Sequence, residues 1–261
     1  MKHRLVITVL GLLSASFAFA QVPDVSQFGT WTGISASKEL SKKWSLDGEV
    51  ELRTQDAFNA VDRWSASLGA QYKFNKYLKI EASYKYLYNY YMADWKTHYS
   101  GTTVDGYNVA AAHWMPRNRF MLDITGQKKF GRFALSLTER FQLTTNGSMT
   151  VDRDKWRYSG NTLALSSSDA KTIDAANKLY LRTRLMAKYD IPHSHFTPYA
   201  GYYLYNDLRN DMNIKKYRLA AGTEFSIDKH NSISLGYVYV NSHDDDEQDD
   251  NILQLSYGIK F

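Results

Sequence analysis

The feature that most constrains this chain is a two-residue rhythm that divides apolar from charged side chains. In the run 44–53, Trp44, Leu46, Gly48, Val50 and Leu52 fall on one side. Ser45, Asp47, Glu49, Glu51 and Arg53 fall on the other. Successive strand residues point to opposite faces, so such a run is a β-strand between two different environments. Charges packed that densely cannot enter a dry core cheaply, but they suit a wet interior. The rhythm returns in Trp64, Ala66, Leu68, Ala70 and Tyr72, and in Leu78, Ile80, Ala82, Tyr84, Tyr86 and Tyr88. It continues in Phe120, Leu122 and Ile124, in Leu179, Leu181, Leu185 and Tyr189, and in Tyr217, Leu219, Ala221 and Phe225. Ile233, Leu235, Tyr237 and Tyr239 follow, and the last run is Leu253, Leu255, Tyr257, Ile259 and Phe261. Less regular strands lie near 30–38, 132–143 and 196–206.

The connections sharpen the reading. Short turns are expected near 39–43, 75–77, 128–131, 190–195 and 228–231, and longer loops at 55–62, 91–116, 144–177, 207–214 and 241–250. Short turns at one end and long loops at the other mark an outer-membrane barrel, its long loops facing outside. The fold expected is therefore an all-β, antiparallel up-and-down transmembrane barrel. Eleven strands can be counted, and bacterial single-chain barrels normally have an even number. The expectation is about twelve strands, with ten as the fallback, the extra strand hidden in residues 21–29 or in a loop.

Composition fits this frame. Residues 1–20 read as a cleaved signal peptide: Lys2, His3 and Arg4, an apolar stretch from Leu5, then Ala18-Phe19-Ala20. Residues 21–261 then form one barrel domain, and loss of Lys2 and Arg4 lowers the formal net charge from +5 to +3. That near-balance, with no basic stripe, speaks against a nucleic-acid partner. The chain has no cysteine, so a closed hydrogen-bonded wall would have to supply what disulfides supply elsewhere. Mean hydropathy is −0.47, yet 15% of residues are aromatic. No segment after residue 20 approaches the ~18 apolar residues of a spanning helix, whereas alternating strands can cross a membrane at this polarity.

One residue resists the pattern. If Phe133, Leu135, Leu137, Phe141 and Leu143 face lipid, Glu139 stands among them. A bulge that turns it inward, or a position near the membrane interface, would relieve the cost.

Short motifs along the chain carry a family resemblance. They are Arg119-Phe120, Gly131-Arg132-Phe133-Ala134-Leu135-Ser136, Glu139-Arg140-Phe141 and Leu181-Arg182-Thr183-Arg184-Leu185. Pro198-Tyr199, Tyr217-Arg218-Leu219-Ala220-Ala221-Gly222, Leu235-Gly236-Tyr237 and Leu253-Gln254-Leu255-Ser256-Tyr257 complete the set. In these the chain resembles the domain of unknown function 2490 family of Bacteroidetes outer-membrane proteins. The resemblance implies a barrel in the bacterial outer membrane and brings no established activity. The inserts 91–116 and 144–177 depart from the compact core of that family.

The candidate functional residues are the charges expected to face the lumen. Arg53, Arg63, Arg119, Arg140, Arg182, Arg184 and Arg218 would meet Glu49, Glu51, Glu81, Asp123 and Glu224. They could form a constriction that selects ions or small anions, or a salt-bridge network that braces a narrow barrel. His193 and His195 could offer two metal ligands, but no third lies nearby, so no metal or cofactor is expected. The run His243–Asp250 lacks the glycine and spaced glutamate of a calcium loop and reads as a solvated acidic loop. Aromatics near strand ends, among them Trp31, Trp44, Trp64 and Trp114, fit interfacial girdles.

The function expected is a narrow pore or a structural, envelope-interacting barrel without catalysis. The alternatives are a lipid-acting outer-membrane enzyme and a soluble periplasmic barrel that binds an apolar ligand. Lipid and lipopolysaccharide are the expected partners, with barrel-assembly machinery during insertion, and a monomer is the expected state.

Overall fold

The computed structural model describes residues 28–242 and 250–261. The signal-peptide reading, residues 21–27 and most of the acidic run lie outside them. Fifteen strands and no helix are present among the described residues: β1(Phe28–Glu39), β2(Trp44–Gln55), β3(Ala60–Lys73), β4(Leu78–Tyr91), β5(Asp94–Ser100), β6(Thr103–Ala110), β7(His113–Phe130), β8(Phe133–Asn146), β9(Met149–Ser159), β10(Thr162–Ile173), β11(Ala176–Tyr189), β12(Phe196–Asp207), β13(Asn213–Ser226), β14(Asn231–Ser242) and β15(Asp250–Lys260).

Eleven of them close into a barrel in the order β1-β15-β14-β13-β12-β11-β8-β7-β4-β3-β2. Every neighbouring pair is antiparallel except β1 with β15, which run parallel from Phe28 opposite Asn251 to Ser37 opposite Lys260. The expectation of about twelve strands in a wholly antiparallel barrel is thus corrected. An odd number of strands that alternate in direction leaves the first and last running the same way, so the parity resolves at the seam.

The loops expected at 91–116 and 144–177 are two hairpins instead. β5 pairs with β6, β9 with β10, and β6 joins β9 to make one four-stranded sheet. Its lateral order, β5-β6-β9-β10, repeats the order of β4-β7-β8-β11 in the barrel. The wall therefore continues past the rim on one side. At the same upper end, two other connections are shorter than expected, 56–59 and 208–212. Asp56, Ala57 and Phe58 all take positive φ, which closes that turn in four residues at some backbone cost. The lower end keeps its short turns throughout.

The division of faces decides where the core sits. Leu68 is 65% exposed, Val50 54% and Phe120 53%, whereas Asp123, Gln142 and Thr144 are each 4% exposed. Leucines and aromatics cover the outside, and polar side chains fill the inside. An apolar cluster of Trp31, Ala220, Val238, Val240 and Ile252 occupies one inner wall, with Tyr203 against it. Alternation alone hides that cluster, because β14 carries apolar residues on both faces.

Glu139 stays on the outer face. Neither the β7–β8 nor the β8–β11 ladder shifts register there, so no bulge turns it inward. It lies opposite Ile124 on one side and Thr183 on the other, and the Thr183 hydroxyl donates to Glu139 Oε2 at 2.9 Å.

Candidate functional site in the barrel lumen

Eleven strands enclose more room than an eight-stranded barrel, whose side chains fill it, and less than a porin. The lower half is filled. Gly222 and Gly236 face each other across β13 and β14, and a Cβ on either would stand 2.6 and 2.4 Å from the Tyr199 hydroxyl. The missing side chains make room for that ring to lie over β13 and reach β14. Met186 occupies the place a Cβ on Gly201 would need, with the Tyr203 hydroxyl 3.6 Å from its sulfur. Nearer the turns, Lys188 pairs with Glu224 at 2.9 Å.

Above this floor lies a cavity of about 270 Å³. Nine of the twelve charges expected in the lumen line it: Glu49, Glu51, Arg53, Arg63, Arg119, Arg140, Arg182, Arg184 and Arg218. The other three stand elsewhere. Asp123 is buried behind Arg140 and accepts two hydrogen bonds from its guanidinium, each 2.5 Å. Glu81 sits directly across from Asp123 on the neighbouring strand, and Glu224 belongs to the lower mouth.

Sequence reasoning missed Arg117, Lys178 and Lys216 as site residues, and Lys85 too. Arg117 and Lys216 share the parity of Arg119 and Arg218 on strands that start earlier than expected, so the same alternation extended by two residues finds them. Tyr180, Tyr203 and Tyr205 gave no comparable signal, since tyrosine serves equally on the outer face. The two candidate histidines are in an exposed turn, His193 with φ of 57° and His195 beside the Phe225 ring.

Among the described residues that line the cavity, eleven are arginine or lysine and two, Glu49 and Glu51, are acidic. The local pairings account for part of the balance. Arg53 Nε donates to Glu51 Oε1 at 2.8 Å, and Lys85 Nζ approaches Glu49 Oε2 at 3.4 Å. Arg63 donates to Asn89, Arg119 to Thr144 and Arg184 to Thr138, so neutral oxygens serve much of the wall. Aromatic faces back the guanidinium groups: Arg53 lies 3.9 Å and Arg218 4.7 Å from the Trp31 ring centroid. Such stacking holds a planar guanidinium in place while its edge donates hydrogen bonds.

A closed all-β barrel that turns leucine outward and encloses a cationic cavity is the class this geometry defines. The chain belongs to the family DUF2490, described as a protein of unknown function, whose profile matches residues 28–251. No curated protein matches it.

Proposed function

We propose that this protein is a narrow, occluded barrel of the bacterial outer membrane that does its work by binding at the upper end of its lumen. One observation carries the reading: the wall is inside out for water, with leucine, valine and aromatic side chains exposed and buried arginine, aspartate and glutamine enclosed. In water such an outer surface would be an aggregation hazard, whereas in hydrocarbon it is the low-energy arrangement. The aromatic pairs support it. Trp44 with Tyr72 and Phe196 with Phe225 sit near the lower turns, and Tyr88 with Trp114 near the upper rim. Along β3, Tyr72 and Trp64 are separated by roughly 26 Å of strand at ~3.3 Å per residue, about 20 Å of height once tilted. A band of about that height suits an outer membrane.

Lipid and lipopolysaccharide are then the outer wall's partners, and barrel-assembly machinery would insert it. A narrow pore is the second reading, favoured by the cavity itself. The apolar-ligand alternative would need Leu46 and Val50 inside, and both are exposed outside. The test is membrane fractionation with heat-modifiable gel migration, followed by planar-bilayer recording. The expected result is detergent-dependent recovery from the outer membrane, a heat shift, and no porin-sized conductance steps. A monodisperse protein in plain buffer would overturn the membrane reading, and large steady steps would overturn the occluded lumen.

A further inference from the structure

We infer that the outer wall carries a seat for a single phospholipid near its lower end, with an acyl chain in a groove over Gly126 and the phosphate at Lys128. The inference rests on the membrane reading above and adds to it a defined lipid at a defined position.

The sequence of β7 points to the place. Its outward residues run Phe120, Leu122, Ile124, Gly126, Lys128 and Phe130, so a glycine interrupts an apolar face. Glycine inside a strand weakens it, and marks a bulge, a bend or a close approach by something else. Neither the β4–β7 nor the β7–β8 ladder shifts register there, and β7 continues unbroken on both sides. Gly126 is not among the residues with positive φ, so the backbone does not call for glycine. Nor does a neighbour use the space. A Cβ on Gly126 would meet no atom of the described residues within 4 Å, whereas Met186 fills the place over Gly201 and the Tyr199 hydroxyl that over Gly222. What remains is an approach from outside the chain.

The register builds walls around the gap. Leu137 stands opposite Gly126, and Leu185 stands opposite Leu137 on the next strand. With Tyr77, Leu135 and Lys128 they line an open groove of about 600 Å³ on the outer face. That lies within the ~300–1,000 Å³ of small-molecule sites. Strands of a closed barrel form its floor, so the shape exists before anything binds.

Height and charge select the occupant. Gly126 is four residues above Phe130, the end of β7. This is roughly 13 Å of strand at ~3.3 Å per residue, about 10 Å of height once tilted. The Phe133–Tyr189 ring pair marks the interface below, which puts the groove at acyl-chain depth in the lower leaflet. Lys128 stands between the two levels, its ammonium 4.9 Å from the Phe130 ring centroid. Lys76, beside Tyr77, lies 5.0 Å from that ring's centroid. Lysine stems cover apolar surface and carry their charge to the interface. Leucine above and ammonium groups below complement a hydrocarbon chain ending in a phosphate. A second copy related by a twofold axis would instead bring the same lysines together at one level.

The test is native mass spectrometry of the protein extracted in dodecyl maltoside, delipidated, and titrated with dioleoylphosphatidylglycerol, with lipopolysaccharide as competitor. A saturable one-to-one phospholipid adduct that lipopolysaccharide does not displace is the expected result. Gly126→Leu should weaken binding about tenfold while holding or raising the melting temperature of the delipidated protein, because it fills the groove with a residue that suits a strand better. A fall in that temperature would count against the inference, since a glycine needed by the fold predicts that sign. Lys128→Gln, which leaves the groove's shape alone, should weaken binding about fivefold. Gly48→Leu, at an outward glycine on β2 three strands away, should leave the adduct unchanged. No adduct on folded, heat-modifiable protein would overturn the inference, as would an adduct that either groove variant leaves intact. Displacement by lipopolysaccharide, or a dimer that Gly126→Leu dissolves, would overturn it in favour of that occupant. A chain that proves water-soluble would sink the membrane proposal together with this one, whereas a heat-modifiable barrel without the adduct sinks this one alone.

Discussion

Glu139 and Asp123 show how differently one charge behaves on the two sides of the same wall. Glu139 stands mid-strand on the outer face with a single hydrogen bond from Thr183. In the membrane placement proposed above, hydrocarbon would disfavour it, although a carboxylate costs less there than a midplane arginine or lysine at about 2–4 kcal/mol. Glu139→Leu should therefore stabilise the barrel by about 1 kcal/mol, read as a higher urea midpoint for unfolding from lipid. A lower midpoint would mean that Glu139 has a protein partner on that face. Asp123 is the reverse case, buried and held by both ends of the Arg140 guanidinium. Asp123→Asn leaves a buried cation without its carboxylate and should cost about 3–5 kcal/mol. Adding Arg140→Met should recover most of that loss in the same assay, and failure to recover would refute the pairwise account. The charges' side of the wall was legible in the sequence because parity alone assigns it. Partnership was not, because Asp123 and Arg140 meet through a ladder register that no local pattern contains.

At the scale of elements, the two hairpins above the rim were the least visible part of the chain. Residues 149–173 read as loop because β10 is largely exposed and β9 buries only Val151, so hydrophobic alternation has little to report. Their ladder carries ion pairs instead. Asp169 accepts from Arg153 at 2.6 Å and from Lys155 at 2.7 Å, and these contacts hold its carboxyl below the usual carboxylate range. A depressed native value stabilises the hairpin above the unfolded pKa of ~3.9 and is lost as pH falls through the native one. Limited proteolysis between Ser159 and Thr162 should accelerate progressively below about pH 4. Asp169→Asn should cleave faster at neutral pH and lose that acid dependence. The seam is testable just as directly. Ala36 pairs with Ile259 on the outer face, and the chain has no native cysteine to compete. Ala36→Cys with Ile259→Cys should oxidise to a disulfide, whereas Ala36→Cys with Lys260→Cys should not, because those side chains point to opposite faces. The reverse outcome would place the register one residue away.

For the molecule as a whole, the barrel class, the strand runs and the inward charges could be argued from alternation and turn length. Strand number could not, because parity was taken from a rule about antiparallel closure that this barrel breaks. The parallel seam has a consequence for the direction in which the chain threads. Phe28 opens β1 beside Asn251, at the rim from which the hairpins rise, while Phe261 ends among the short turns. In the membrane placement proposed above, the two extremities of the barrel would open onto different compartments, unlike those of an even-stranded porin, which share one. On intact cells, an epitope inserted immediately before Phe28 should be reached by antibody, and one appended after Phe261 should be shielded until the envelope is permeabilised. The architecture would then serve as a natural display scaffold, offering its leading end to the surroundings and keeping its trailing end at home.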